Sequence, residues 1–381
     1  MVNGKARKDR PPVSSGIKDE ENTMNKITIV GLGPGSKQHL TLAVYEELKR
    51  HNTIYLRTEK HPVVSYLRDK GVVFKTFDYA YEDCAHDKFE QVYKHIADRV
   101  LDEARKGEVL YAVPGNPFVA ESSVGLILET CEREGIKTEI YPAMSFIDAV
   151  FMALGIDPIE GFQLLDGLQL DRQKPDPDTN NLIAQVYDEF TASEAKLQLM
   201  RYYNDEQEVY VVRAAGIPDI QRIVKIPLFK LDRIDWIDYL TTIFVPKVEN
   251  SEKKYYNMNN LAEIMERLRS EGGCPWDVKQ THQSLKPYLL EESNEVIEAI
   301  DMEDDSALAE ELGDVLLQVV FHSQIAKERD AFQLEDVIHG LCRKLIFRHP
   351  HVFGDKTANT EADVAKIWAE QKLKEKGLKN Q

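Results

Sequence analysis

The sequence predicts a multidomain chain, an α/β domain followed by an all-α domain, on three observations. From 24 to about 246, short β-rich runs alternate with helical segments, the pattern of an α/β domain. From 257 onward the strand-like runs stop and apolar residues recur at helical spacing. Between the two lies the charged stretch Lys247-Val-Glu-Asn-Ser-Glu-Lys-Lys254, which marks 247–256 as a linker.

Length and composition set the outer bounds. A chain of 381 residues with 43% hydrophobic and 30% charged residues can form two or three domains, each with its own core. The net charge of −17 argues against nucleic acid and anionic membrane as partners, since both require a basic surface. The four cysteines, Cys84, Cys131, Cys274 and Cys342, form no CxxC pair, so neither a disulfide framework nor a zinc site is indicated. No apolar run approaches the ~18–20 residues that cross a bilayer, and the amino terminus lacks an apolar signal core. These features predict a cytoplasmic protein that does not enter the membrane. Residues 1–23 are polar, charged and aperiodic, which predicts a disordered tail, with Met24 as the natural start.

In the first domain, 24–246, Ile27-Thr-Ile-Val30 leads into Gly31-Leu-Gly-Pro-Gly35 and a helix over about 40–50. Ser36 stands where a dinucleotide fingerprint places its third glycine, which speaks against a nicotinamide site. On its own the turn reads equally as a ligand loop or as a tight βα connection. A second strand, Val109-Leu-Tyr-Ala-Val113, runs into Pro114-Gly-Asn-Pro117 and a helix near 119–135, so backbone groups at its carboxyl end are open to a ligand. Then follow Pro142-Ala-Met-Ser145, entering a helix, and Val209-Tyr-Val-Val212 leading to Arg213-Ala-Ala-Gly216.

In the second domain, 257–376, two successive helices carry paired acids, Glu292 with Glu295 and Glu311 with Asp314, each pair spaced i, i+3 on one helix side. At ~100° per residue, Glu292 falls within the stripe of Leu285, Val296 and Ala299, with Glu295 at its margin beside Tyr288. The helix over 308–325 is apolar around most of its circumference, which predicts burial; Glu311, Asp314, Gln318 and His322 gather within ~80° of one another. Carboxylates in a buried stripe need cationic compensation, and four of them converging from two helices suit a hard divalent cation such as Mg2+. Arg343, Lys344 and Arg348 lie about one turn apart on a later helix and read either as a phosphate-binding cluster or as an ordinary cationic helix end. Trp276 reads either as a stacking surface for a base or as a plug in the turn before the first acidic helix. His322 reads either as an orienting group or as a buried, satisfied histidine.

Two resemblances follow from these motifs. Glu292-Ser-Asn-Glu295 and Glu311-Leu-Gly-Asp314, with Gly273-Cys-Pro-Trp-Asp277, Gln280-Thr-His282 and Arg348-His-Pro-His-Val-Phe353, resemble the MazG family of nucleoside triphosphate pyrophosphohydrolases. The resemblance implies a four-helix-bundle subunit that assembles into a dimer or larger homo-oligomer. It also implies hydrolysis of an NTP or dNTP to the monophosphate and pyrophosphate with Mg2+. Glu292, Glu295, Glu311 and Asp314 would be the metal ligands and catalytic acids, with Lys344, Arg348 and Trp276 binding phosphate and nucleotide. The first domain resembles the tetrapyrrole-methylase-like family of S-adenosylmethionine-dependent methyltransferases, which implies two α/β subdomains with the cofactor between them. The cofactor positions carried over are Gly115, Asn116, Pro117, Ser145, Ala214 and Ala215, with Gly31, Gly33, Pro34 and Gly35 on the acceptor side. Asn116 departs from the aspartate common in that turn. End to end, the chain resembles YabN-type fusions, which usually carry two MazG repeats; this chain shows one. The alternative reading is a methyltransferase whose MazG part serves only oligomerisation or nucleotide sensing.

Overall fold

The computed structural model describes residues 25–82, 89–249 and 253–379; the expected tail at 1–23, Met24 and Cys84 lie outside them. The chain forms two compact units, Met1–Tyr255 and Tyr256–Gln381.

The first unit holds two five-stranded sheets. In the first, strands β1 (Lys26–Gly31), β2 (Ile54–Leu56), β3 (Lys75–Thr76), β4 (Val109–Val113) and β5 (Lys137–Tyr141) lie in the order β3-β2-β4-β1-β5. All pairs are parallel, with Ile27 level with Val109 and Gly31 with Val113. A parallel sheet is covered on both faces, and this explains why its central strands read as unbroken apolar runs. Ile27, Ile29, Val109, Tyr111 and Val113 pack against Val92, Ile96 and Val100 of α4 (Phe89–Ala104), which comes after the short α3 (Tyr79–Glu82), and against Ile127 of α5 (Ser122–Glu134). The alternate residues Val30, Leu110 and Ala112 pack on the other side against Val44 and Leu48 of α1 (Leu42–Arg50) and Leu67 of α2 (Val63–Asp69).

The second sheet is mixed, in the order β6 (Phe162–Asp166), β7 (Asn180–Ala184), β10 (Thr241–Val245), β8 (Glu208–Arg213), β9 (Arg222–Pro227). Only β6 and β7 pair in parallel. Helix α6 (Phe146–Leu154) covers it through Phe151, whose ring meets Phe162 and Phe244 edge-on, and α7 (Glu189–Leu199) covers the other face with Ala192, Ala195 and Leu199.

The second unit is all helical: α8 (Met258–Arg269), α9 (Lys286–Asp301), α10 (Asp305–Lys327), α11 (Leu334–Arg348), the short α12 (Pro350–Phe353) and α13 (Glu361–Lys379). Helices α9 and α10 form an antiparallel hairpin through Glu303 in the left-handed region (φ 54), with Asp304 capping the amides of Ser306 and Ala307. Their core contains Met265, Leu285, Val320, Phe321, Ile325 and Leu334. Arg269, at the end of α8, fastens the turn that follows: it forms a bidentate pair with Glu328, donates to the carbonyls of Asp277 and Gln280, and lies over the Phe321 ring.

The sequence predicts burial of the 308–325 helix on nearly all sides; the structure corrects this. Gln318, Val320, Phe321, Ser323, Ile325 and Ala326 are buried, but Leu312 is 51% and Val319 37% exposed. The neighbouring helices of one chain cover one flank of α10, and the other apolar flank faces outward.

One glycine ties the first unit together. A Cβ at Gly31 would lie 2.4 Å from the Gly115 carbonyl oxygen, 2.7 Å from Ala143 Cβ and 2.8 Å from Pro117 Cδ. The loops after β1, β4 and β5 therefore meet where only a hydrogen fits. Gly31→Ala should destabilise the first unit by about 1–3 kcal/mol, the usual cost of overpacking, read as a lower urea midpoint at an unchanged m-value.

Candidate functional site

Two sites take shape. The first lies on the α9–α10 hairpin. Antiparallel packing brings the two acidic pairs together; after burial, the charge of Asp314 contributes most to raising Glu292 and that of Glu295 most to raising Glu311. Carboxylate oxygens of Glu292, Glu295 and Glu311 lie within 4.8 Å of one another. Asp314 is outside that tight group and acts on it through charge. The expected buried stripe is corrected as well: Glu292, Glu311 and Asp314 are half-buried and Glu295 is exposed, so the cluster opens to solvent. Partial burial and then mutual repulsion push both Glu292 and Glu311 above the ordinary carboxylate range. Among the described residues no salt bridge reaches any of the four. Oxygen donors held this close, repelling and without a cation, are the donor set a hard divalent ion fits.

The predicted phosphate-binding residues are dispersed. Lys344 is exposed on α11. Arg348, one turn on, is turned toward α13, with Nε and Nη2 both donating to Glu375 (3.0 and 2.8 Å) and the guanidinium over Trp368. Trp276 is half-exposed and meets Tyr288 and Phe321 edge-on at 6.0 and 6.4 Å, so it covers the end of the hairpin one turn from Glu292. His322 is stacked on His282 with their Nδ1 atoms 2.8 Å apart, while Arg329 donates to His282 Nε2. An arginine cannot accept, so His282 carries its proton on Nδ1 and donates to His322.

The second site lies in the first unit at the carboxyl ends of β1, β2 and β4, where open α/β sheets place ligands. Gly33 and Gly115 exchange backbone hydrogen bonds (3.2 and 2.8 Å), joining the two Gly-rich turns directly. Asn116 donates through Nδ2 to the Ala143 carbonyl (2.8 Å) and accepts through Oδ1 from the Phe118 amide. This double role accounts for the asparagine, because an ionised aspartate cannot donate. Pro117 is buried beside Gly31, and Ser145 caps α6 in a reciprocal pair with Asp148. Ala214 sits in the left-handed region (φ 53), and both it and Ala215 are buried.

The sequence did not point to a third set of groups beside these turns. Arg57, directly after β2, pairs with the buried Glu121 (3.2 Å), which also accepts from Ser123, itself bonded to Tyr111. The hydroxyls of Tyr81 and Tyr93 face the same guanidinium, and burial pushes Tyr81 up to about 12 despite that charge. His61 Nε2 lies 3.0 Å from the Gly33 carbonyl, so Nε2 holds the proton and the histidine is neutral; burial pulls it down to about 4. These pairings join residues far apart in sequence and leave no motif.

Two outcomes follow. Asn116→Asp replaces a donor facing the Ala143 carbonyl with an acceptor and should cost about 1–3 kcal/mol, measured by chemical denaturation. A carboxyl group raised on folding binds more protons in the folded state between its ordinary and its raised value, so stability falls as pH rises through that window. Glu311→Gln should therefore raise the melting temperature of metal-free protein near neutral pH. The gain should shrink as pH falls into the carboxylate range, seen in parallel thermal scans.

Comparison with known proteins matches each unit to a family. Residues 26–232 match the family described as Tetrapyrrole (Corrin/Porphyrin) Methylases, and residues 280–353 match the MazG nucleotide pyrophosphohydrolase domain. The chain is 44% identical over 351 residues to the protein YabN of Bacillus subtilis (strain 168), an alignment covering 92% of this chain and 71% of that protein. It is 61% identical over 119 residues to the nucleoside triphosphate pyrophosphohydrolase/pyrophosphatase MazG of Thermotoga maritima, covering 31% of this chain and 45% of that one. It is 45% identical over 125 residues to the nucleoside triphosphate pyrophosphohydrolase of Escherichia coli (strain K12), covering 32% and 48%. The alignments thus span under half the length of these two hydrolases. The chain belongs to the YabN-type family, in which a tetrapyrrole-methylase domain is joined to a MazG nucleotide pyrophosphohydrolase domain.

Proposed function

We propose that the helical unit hydrolyses a nucleoside or deoxynucleoside triphosphate to the monophosphate and pyrophosphate with Mg2+. The observation that carries this reading is the cluster of Glu292, Glu295 and Glu311, with Asp314 beside it and no salt bridge to it among the described residues. A hard divalent ion bound there would neutralise the triphosphate and make a water more acidic. Glu292, Glu295, Glu311 and Asp314 are the residues to hold it. A carboxylate left off the ion, such as Glu295, would accept the proton of the attacking water. Lys344 is open to solvent on α11, whereas Arg348 reaches a phosphate only by leaving Glu375.

Outward-facing apolar residues support assembly of this unit with a second copy: Ile297 and Ile300 on α9, Leu312 and Val319 on α10, and Leu341 and Leu345 on α11 are 37–55% exposed. For the first unit we propose binding of S-adenosylmethionine at Gly115, Asn116, Pro117, Ser145, Ala214 and Ala215. The Arg57–Glu121 group then stands on the acceptor side. A second reading, with methyl transfer as the main activity and the helical unit serving assembly or nucleotide sensing, draws support from that buried polar group. No helix of the described residues is long and apolar enough to cross a membrane. The fused domains and acidic charge fit a cytoplasmic enzyme that does not bind nucleic acid.

The test is pyrophosphate release from the common NTPs and dNTPs, with and without Mg2+, for the full chain and for Glu311→Gln. Metal-dependent release should drop by about 10²–10³-fold in the variant, with its circular dichroism unchanged. Equal release by both proteins would sink the assignment.

A further inference from the structure

The hydrogen-bond chain at the far end of α10 uses every lone pair that its two rings possess. His282, three residues before the buried Leu285, and His322 of α10 lie in near-parallel planes (11°) with their Nδ1 atoms 2.8 Å apart. An arginine only donates, so Arg329 Nη2, 2.9 Å from His282 Nε2, fixes that nitrogen as an acceptor. The proton of His282 is then on Nδ1 and is donated to His322 Nδ1, which leaves the proton of His322 on Nε2. A further proton has no free place to go. At His322 Nδ1 it sets two N–H groups against each other, and at His282 Nε2 it meets the guanidinium.

No anion stands ready to compensate that proton. Among the described residues no carboxylate, Asp277 of the turn included, forms a salt bridge with either ring. Glu328 is bound by Arg269 of α8 (2.7 Å), and Glu266 of α8 by Lys327 (3.0 Å). The other charges on the turn and the helix ends, Lys279, Lys286 and Arg329, are cationic. Burial, and then the His282 ring, hold His322 below the ordinary histidine range. The stretch that the rings fasten is short. Arg269 donates to the Asp277 and Gln280 carbonyls on one side of it, and Leu285 is buried on the other. Between them, 281–284 and the entry of α9 are joined to α10 by the His282–His322 bond.

We propose that His282, His322 and Arg329 form a proton-operated clasp, closed while both rings are neutral and opened by one further proton, which frees the entry of the helix that carries Glu292 and Glu295. The inference stands on this geometry and does not rest on the pyrophosphohydrolase reading. Its direction follows from linkage: a histidine lowered on folding binds more protons in the open state between its lowered and its ordinary value. The clasp therefore contributes fully above the ordinary histidine value of ~6.5, and its contribution is lost as pH falls through that window. The raised carboxylates act in the opposite direction, so a melting temperature mixes the two effects and a local measurement separates them.

The experiment is hydrogen–deuterium exchange of the full chain at about pH 7.5 and about pH 5.5, either side of the ordinary histidine value, corrected for intrinsic exchange rates. The reporting amides are Thr281, Ser284, Leu285 and Leu289, all hydrogen-bonded in the closed clasp. Protection over 281–289 should fall by roughly 3–10-fold at the lower pH, the loss of one hydrogen bond, while α8 keeps its protection. His322→Gln retains an acceptor for His282 but takes up no proton, and should show no fall. Arg329→Met vacates His282 Nε2, where the added proton then settles without breaking the Nδ1 bond, so the fall should shrink. Unchanged protection in wild type, or an equal fall in His322→Gln, overturns the proposal. So does a fall shared by α8 and α11, which is general acid unfolding. Nitrogen chemical shifts of the imidazole rings test the clasp in wild type without substitution: a His322 protonated on Nδ1 at neutral pH rejects it.

Discussion

The helical unit is governed by repulsion among carboxylates that its own fold forces together. Glu292, Glu295 and Glu311 come within 4.8 Å because α9 and α10 pack antiparallel through Leu285, Val320 and Phe321, and those apolar contacts hold the hairpin against the charge. Nothing cationic among the described residues relieves it. The raised Glu292 and Glu311 register that repulsion together with partial burial.

The same hairpin organises its surroundings. Arg269 fixes the turn that carries Trp276 over the end of α9, and the His282–His322–Arg329 chain closes the far end of the polar stripe. Arg348 is committed to Glu375 and Trp368, which ties α11 to α13. One apolar flank of α10, including Leu312 and Val319, is left uncovered by its own chain.

In the first unit the equivalent constraint is steric. Gly31 lets three loops close on one point, and the Gly33–Gly115 bridge and the Asn116–Ala143 bond hold them there. That closure sets the turns beside the buried Arg57–Glu121 pair and the neutral His61, so the crevice combines open backbone with a neutralised ion pair. A guanidinium already balanced by Glu121 has little net charge left for an anionic ligand.

The sequence by itself determined the two-part organisation, the α/β character of the first part and the spacing of the acidic pairs. Unbroken apolar strands and i, i+3 acids are local patterns, and local patterns follow from backbone periodicity alone. It marked Gly31, Gly33 and Gly115 for the same reason, since tight turns and close approach admit few residues. Tertiary structure decided the rest. It left Asp314 just outside the tight group, opened the stripe to solvent, and drew Arg348 to Glu375, 27 residues away. It also paired Arg57 with Glu121 and left the Gln318 oxygen without a donor. Each of these depends on which side chains from distant segments arrive at the same place. Periodicity gives the face a residue occupies, whereas its partner is set only when the helices and loops have packed.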